Sequence, residues 1–301
     1  TDLIAYVKSG YEWARTQGSN LVGFFPEFIT PGYPTSEICE VADMLSIAVK
    51  LSEAGAGDYY DDIERWTRNQ FAENQLTRSD WVKRLGGRSK GQPVAPNETS
   101  EAVPERNIGA FAGWSTGNDW AANEGIMHCC TGNAARSIYY VWHACVGFKD
   151  GTLRVNLLMN HSSPSMEVHS HIPYQGRIDL AIKEPCERVL VHKPEWLKVG
   201  SGNITCSVGG KTRQYSWNGQ YIDLGPAEPN DRVEVAFSIS ERETFEKMGN
   251  ERYLLVLKGN TVVHIDPPGR NGPLYLRDHY RENETRWVDA DRFVCALRPD
   301  Y

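Results

Sequence analysis

The stretch that decides the fold runs from His128 to Leu158, HCCTGNAARSIYYVWHACVGFKDGTLRVNLL. Its first half recurs at helical spacing. Ala135, Ile138, Tyr139, Trp142 and Cys145 are expected to line the buried face of a helix that starts after Cys130, with Thr131 as its cap. After Gly151 the period drops to two, and Leu153, Val155 and Leu157 alternate with polar residues as a half-buried strand does. The chain therefore reads as helices before about residue 150 and strands after it.

Towards the N-terminus, Leu3, Ile4, Val7 and Tyr11 predict a first helix. Residues 23–36 carry Pro26, Pro31, Gly32 and Pro34 and must be loop. From Glu37 onward Val41, Met44, Leu45, Ala48 and Leu51 share one helical face, with Thr35 or Ser36 available as N-cap. A further helix is expected from about Tyr59 to Phe71, carrying Ile63 and Trp66. Residues 82–112 read as a long irregular excursion. Towards the C-terminus, strands are predicted over 188–192, 220–224, 232–239, 253–257 and 261–265, and Asn218-Gly219 signals a hairpin. Such short strands between Gly and Pro imply antiparallel β-sandwich layers. The expected division is a helical region, 1–150, and a β region, 151–301.

A chain of 301 residues with 40% hydrophobic and 24% charged residues has an ordinary globular composition. Its formal charge of −7 argues against a nucleic acid as partner. No apolar run reaches the roughly 18 residues of a membrane span, so no membrane partner is expected either. Nine Trp, fourteen Tyr and nine Phe can serve as stacking platforms for sugars or simply as packing.

Seven cysteines make no disulfide framework in a chain of this length. Cys145, Cys186, Cys206 and Cys295 read as inert, and Asp278, His279 and Tyr280 as structural. Three other segments carry chemistry: Pro26-Glu27-Phe28 in a loop, Glu37-Ile38-Cys39 at a helix start, and His128-Cys129-Cys130 just before another. Backbone amides at a helix N-terminus favour thiolates. Glu37, Cys39, Cys129 and Cys130 supply four ligands of the kind zinc takes. The residues themselves leave open whether they bind metal or are buried, inert thiols. Glu27 can equally be a solvated loop carboxylate, and Glu64 can pair with Arg65 or Arg68. His128 can orient a neighbour, touch a ligand or be structural.

The run Glu37-Ile38-Cys39, then Asp62-Ile63-Glu64-Arg65, then His128-Cys129-Cys130-Thr131-Gly132-Asn133-Ala134-Ala135-Arg136, resembles the β-L-arabinofuranosidase family of glycoside hydrolases, GH127. The resemblance implies an (α/α)6 barrel, here only its later helices, followed by β-sandwich domains. It implies zinc on Glu37, Cys39, Cys129 and Cys130, with Cys129 as nucleophile and Glu27 as general acid/base. It implies that Glu64 binds hydroxyls of an oligosaccharide or polysaccharide substrate; His128, beside the cysteine pair, is read as a second substrate-binding residue. Thr131-Gly132 stands where the family usually has proline, which bears on sugar specificity. Some four helices cannot close a twelve-helix barrel, so a missing N-terminal barrel half or a complementary chain is an expected partner. The alternative is a catalytically inactive carbohydrate-binding protein with a structural zinc.

Overall fold

The structure is a computed structural model that describes residues 2–86, 95–120, 125–198 and 204–288. Cys295 and part of the 82–112 excursion lie outside the described residues. The helical part comprises α1 (Leu3–Ala14), a two-residue strand β1 (Ser36–Glu37), α2 (Ile38–Glu53) and α3 (Tyr60–Trp66), which passes into a π-helical turn over Thr67–Phe71. There follow α4 (Asp80–Gly86), α5 (Val103–Arg106), β2 (Trp114–Ser115) and α6 (His128–Cys145). Asp2 caps α1 by accepting the Ile4 N–H at 3.0 Å.

The core of this part forms around α2. Ile38, Val41, Ala42, Met44, Leu45, Ala48, Val49 and Leu51 are all buried. Each large side chain among them contributes about 1.5–3 kcal/mol by leaving water. On one flank α2 meets α6, side by side and parallel. Cys39 lies against Cys130, Asp43 against Arg136, Ser46 against Ser137 and Glu53 against His143. Small residues make the approach possible. Cys130, Ala134, Ser137, Val141, Ala144 and Cys145 form the buried seam of α6, and the Ser137 hydroxyl donates to the Ala42 carbonyl at 2.8 Å.

Several local expectations from the sequence differ from the structure. The α6 helix begins at His128, with Met127 as N-cap, so the cysteine pair lies inside its first turn. Thr131 is not the cap; its hydroxyl accepts the Phe111 N–H at 3.1 Å. The buried face is the small-residue seam, and Ala135, Ile138, Tyr139 and Trp142 face outward. Close packing against α2 outweighs the burial of larger side chains there. Likewise Ser36 does not cap α2: its hydroxyl accepts the Phe25 N–H at 3.1 Å, and Glu37 takes the N-cap position. Leu3, Ile4 and Val7 are exposed, and only Tyr11 of α1 is buried.

Strands follow from Val146. They are β3 (Val146–Lys149), β4 (Thr152–Val155), β5 (His161–Ser162), β6 (Met166–Ser170), β7 (Arg177–Ile182), β8 (Arg188–His192), β9 (Ile204–Val208), β10 (Lys211–Thr212), β11 (Ser216–Asn218), β12 (Tyr221–Asp223), β13 (Arg232–Phe237), β14 (Glu241–Met248), β15 (Glu251–Lys258) and β16 (Thr261–Asp266). Among the described residues they form a six-stranded sheet, β10-β9-β13-β7-β6-β5, a five-stranded sheet, β11-β12-β8-β4-β3, and a three-stranded sheet, β14-β15-β16. The pairs are antiparallel except β4–β8, which is parallel, a departure from the all-antiparallel expectation. The Asn218-Gly219 hairpin forms between β11 and β12, with Gly219 at φ +60° where a side chain would be strained.

Alternating residues of the two larger sheets share one core: Leu153, Val155, Val189, Val191 and Ile222 from one, Val168, Ile178, Leu180, Val233 and Val235 from the other. The third sheet turns instead to the helical part. Tyr253, Leu255, Leu257 and Val262 pack with Val22, Phe24, Leu76, Trp81 and Trp120. The π-helical turn is pinned between them. Asn69 donates to the Asn260 carbonyl at 2.8 Å and accepts the Val262 N–H at 2.9 Å. Gln70 donates to the Ser115 hydroxyl at 2.8 Å and so anchors β2 from behind.

Candidate active site

Four backbone segments lie side by side to build the site. Pro26 bridges Ser36, and the Glu37 N–H donates to the Phe25 carbonyl at 3.1 Å. Glu37 in turn pairs with Trp114 across β1 and β2. The Gly113 N–H donates to the Gly125 carbonyl at 2.9 Å, which brings in the segment that leads to α6. Gly113 has a steric reason to be glycine: a Cβ there would stand 2.6 Å from Met127 Cγ. The arrangement sets the N-termini of the parallel helices α2 and α6 against the same spot.

Cys39 is the second residue of α2, and Cys129 and Cys130 are the second and third of α6. With the Glu37 carboxylate, their ligand atoms all lie within 4.8 Å of one another. The Cys39 and Cys130 sulfurs are 3.4 Å apart, and Cys129 and Cys130 3.8 Å. Cys130 Sγ lies 3.6 Å from Glu37 Oε1 and 3.8 Å from the Gly113 carbonyl. Tetrahedral ligands at zinc–sulfur bond lengths stand about 3.8 Å apart, so three sulfurs and an oxygen at these separations can hold a metal ion. Burial varies across the set: Cys130 is buried, Glu37 and Cys39 are half-buried, and Cys129 is exposed.

Without a cation these groups oppose one another's ionisation. Burial, with the Glu37 and Cys129 charges, pushes the Cys39 thiol up to about 11, while hydrogen bonds from Asn133 and Cys130 pull the other way. Burial and then the Cys39 and Cys129 side chains raise the Cys130 thiol. Burial raises the Glu37 carboxyl, and the neighbouring Glu27 and Asp43 charges add to it. A bound cation reverses this balance, because it favours every deprotonated ligand at once.

Glu27 is half-buried beside this cluster, and its Oε2 accepts the Trp114 indole N–H at 2.9 Å. His128 is exposed in the first turn of α6. Glu64 is placed differently. It is buried, Oε1 pairs with Arg68 Nε at 2.9 Å, and Oε2 accepts the Leu158 N–H at 2.7 Å. Both of its oxygens are thus engaged within the protein. Trp114, Gly113 and Gln70 carry no signal in the sequence, and Asn133 is visible there only as part of the run after the cysteine pair. Trp114 and Gly113 belong to no periodic run, and Gln70 is a polar residue on a face expected to be apolar. Only the structure reveals their partners.

No family model and no curated protein matches this sequence. Among solved structures, a GH127 β-L-arabinofuranosidase from Geobacillus stearothermophilus T6 aligns over 85% of this chain and 44% of its own, at TM-score 0.51 and 15% identity. A glycoside hydrolase aligns over 79% and 38%, at TM-score 0.51 and 11% identity. A GH127 β-arabinofuranosidase aligns over 79% and 38%, at TM-score 0.49 and 18% identity. The chain thus spans less than half the length of each of these proteins. Helices followed by mainly antiparallel sheets, in the order and over the extent found here, make this chain similar in fold to part of a GH127 glycoside hydrolase.

Proposed function

We propose that the protein is a zinc-dependent retaining glycoside hydrolase of the β-L-arabinofuranosidase type. One observation carries the reading: a carboxylate and three thiols from two helix starts converge within 4.8 Å, with a fifth group, Glu27, beside them. On this reading residues 1–150 are later helices of an (α/α)6 barrel and 151–301 a β-sandwich region that supports it. An oligosaccharide or polysaccharide is the substrate.

Glu37, Cys39, Cys129 and Cys130 would hold zinc, which would keep the thiols ionised at neutral pH. Cys129 is the exposed member of the set, so its sulfur is the one a substrate can reach. It attacks the anomeric carbon as the Glu27 carboxyl protonates the departing oxygen. One carbon–sulfur bond forms and one carbon–oxygen bond breaks, leaving a thioglycosyl enzyme. Glu27, now a carboxylate, takes a proton from water, which displaces Cys129 and releases sugar with retained configuration. His128, exposed one residue before Cys129, lies where it can contact the sugar. Glu64, buried with one bond on each oxygen, meets substrate only where its remaining lone pairs become accessible.

Hydrolysis of an aryl β-L-arabinofuranoside by the full-length protein tests the proposal. Turnover that disappears on chelation and returns with zinc is expected. Absence of turnover from a zinc-replete protein would favour an inactive carbohydrate-binding protein with a structural zinc.

A further inference from the structure

Glu27 has two carboxyl oxygens, and they are not equivalent. Oε2 accepts the Trp114 indole N–H at 2.9 Å. An indole nitrogen is a donor only, so the oxygen that faces it is favoured as the unprotonated, stronger acceptor. The acid's proton is therefore favoured on Oε1. Trp114 itself is tightly placed. Its backbone is paired with Glu37 in β2, Ser115 beside it is held by Gln70, and Gly113 before it faces Cys130 through its carbonyl. One three-residue segment thus touches the acid/base, a metal ligand and a thiol.

We propose that Trp114 is the positioning residue of Glu27: it fixes the carboxyl plane relative to the thiol cluster and reserves Oε1 for proton transfer. The inference rests on the reading of Glu27 as general acid/base. Directly opposed residues of an antiparallel pair project to the same side, so the Trp114 ring and the Glu37 carboxylate share a face. The indole thereby ties the distance between proton donor and metal centre to a backbone register and not to a flexible loop.

Trp114→Phe keeps an aromatic ring and removes the N–H. In the full-length zinc enzyme it should lower kcat roughly tenfold to a hundredfold on substrates with a poor leaving group, with KM little changed. On a dinitrophenyl glycoside, whose leaving group needs little protonation, the loss in kcat/KM, which excludes the later step where Glu27 acts as base, should nearly vanish. Zinc content should equal that of the parent. An equal loss on both substrates, or a loss of zinc, would mean that Trp114 is merely structural and would overturn the proposal. A second arm needs no turnover. In the ¹H–¹⁵N spectrum of the full chain, Glu27→Ala should move the Trp114 indole resonance upfield and speed its exchange with water. An indole signal unmoved by Glu27→Ala would also overturn it. If the parent hydrolyses no glycoside while the indole signal responds, the glycosidase reading fails and the Trp114–Glu27 coupling stands.

Discussion

Two groups of cysteines in this chain share an element but not a chemistry. Cys145, Cys186 and Cys206 are buried among apolar side chains. Burial raises all three thiols, Cys145 to about 12 and Cys206 to about 11. Cys39 is raised to about 11 as well, so acidity alone does not separate the groups. Their company does. Cys145 and Cys186 each donate to a backbone carbonyl, those of Val141 and Ala227, and belong to no ligand cluster among the described residues. Cys39, Cys129 and Cys130 meet one another and Glu37 at the starts of two parallel helices. Repeated like-charged neighbours at that density make sense around a cation, and a solitary buried thiol does not need one.

The largest effect expected from this contrast is at Cys129. Cys129→Ser should cut turnover of an aryl glycoside by about three orders of magnitude or more, because a serine alkoxide is far harder to form than a thiolate. Cys206→Ala, in the sheet core, should leave turnover per folded molecule within about twofold. Comparable losses at both positions in steady-state assays would erase the distinction between the two groups.

Next is Cys130, the buried member that touches Cys39, Cys129 and Glu37. Cys130→Ser should weaken zinc by at least about tenfold, with turnover falling in step with metal content. Competition with a chromophoric chelator measures it. Unchanged affinity would remove Cys130 from the ligand set.

The sheet core should answer in the opposite way. Leu180 is fully buried between the two larger sheets. Leu180→Ala should cost about 2–5 kcal/mol in denaturant unfolding, while zinc per folded chain stays constant. Loss of metal would show that the two regions are coupled more closely than their separate cores suggest.

The smallest effect is electrostatic and lies at the joint between regions. Burial pushes the Asp61 carboxyl up to about 6, although it accepts the Glu195 N–H at 3.0 Å. Because its folded value exceeds its unfolded one, folding binds protons there. The contribution is present below about pH 4 and is lost as pH rises through about 6. Asp61→Asn should therefore stabilise the protein by about 2 kcal/mol more at pH 7 than at pH 4. A thermal midpoint difference independent of pH would contradict this.

Sequence patterning carried much of the fold because the period changes so sharply near Gly151. The runs 188–192 and 261–265 reappear as β8 and β16. The strand β14, Glu241–Met248, escaped notice because its mostly exposed, charged residues leave no alternation to see. The face of α6 was misjudged because Ile138, Tyr139 and Trp142 outweigh Ala134 and Ser137 in any hydrophobic pattern, yet only small residues let two helices approach closely. Of the site, Glu37, Cys39, Cys129 and Cys130 were legible as ligand types on two helix starts, and the structure brings them together. Trp114 was not, because a single hydrogen bond between residues 87 positions apart in sequence has no local signature.

The cysteine mechanism stands or falls on which side chain becomes joined to the sugar. A β-L-arabinofuranosyl haloacetamide incubated with the full-length, zinc-loaded protein, followed by mass spectrometry of the labelled peptide, asks this directly. The adduct is predicted on Cys129, ahead of Cys39 and Cys130. An adduct on Glu27, or on none of the residues around the thiol cluster, would contradict the cysteine-nucleophile mechanism.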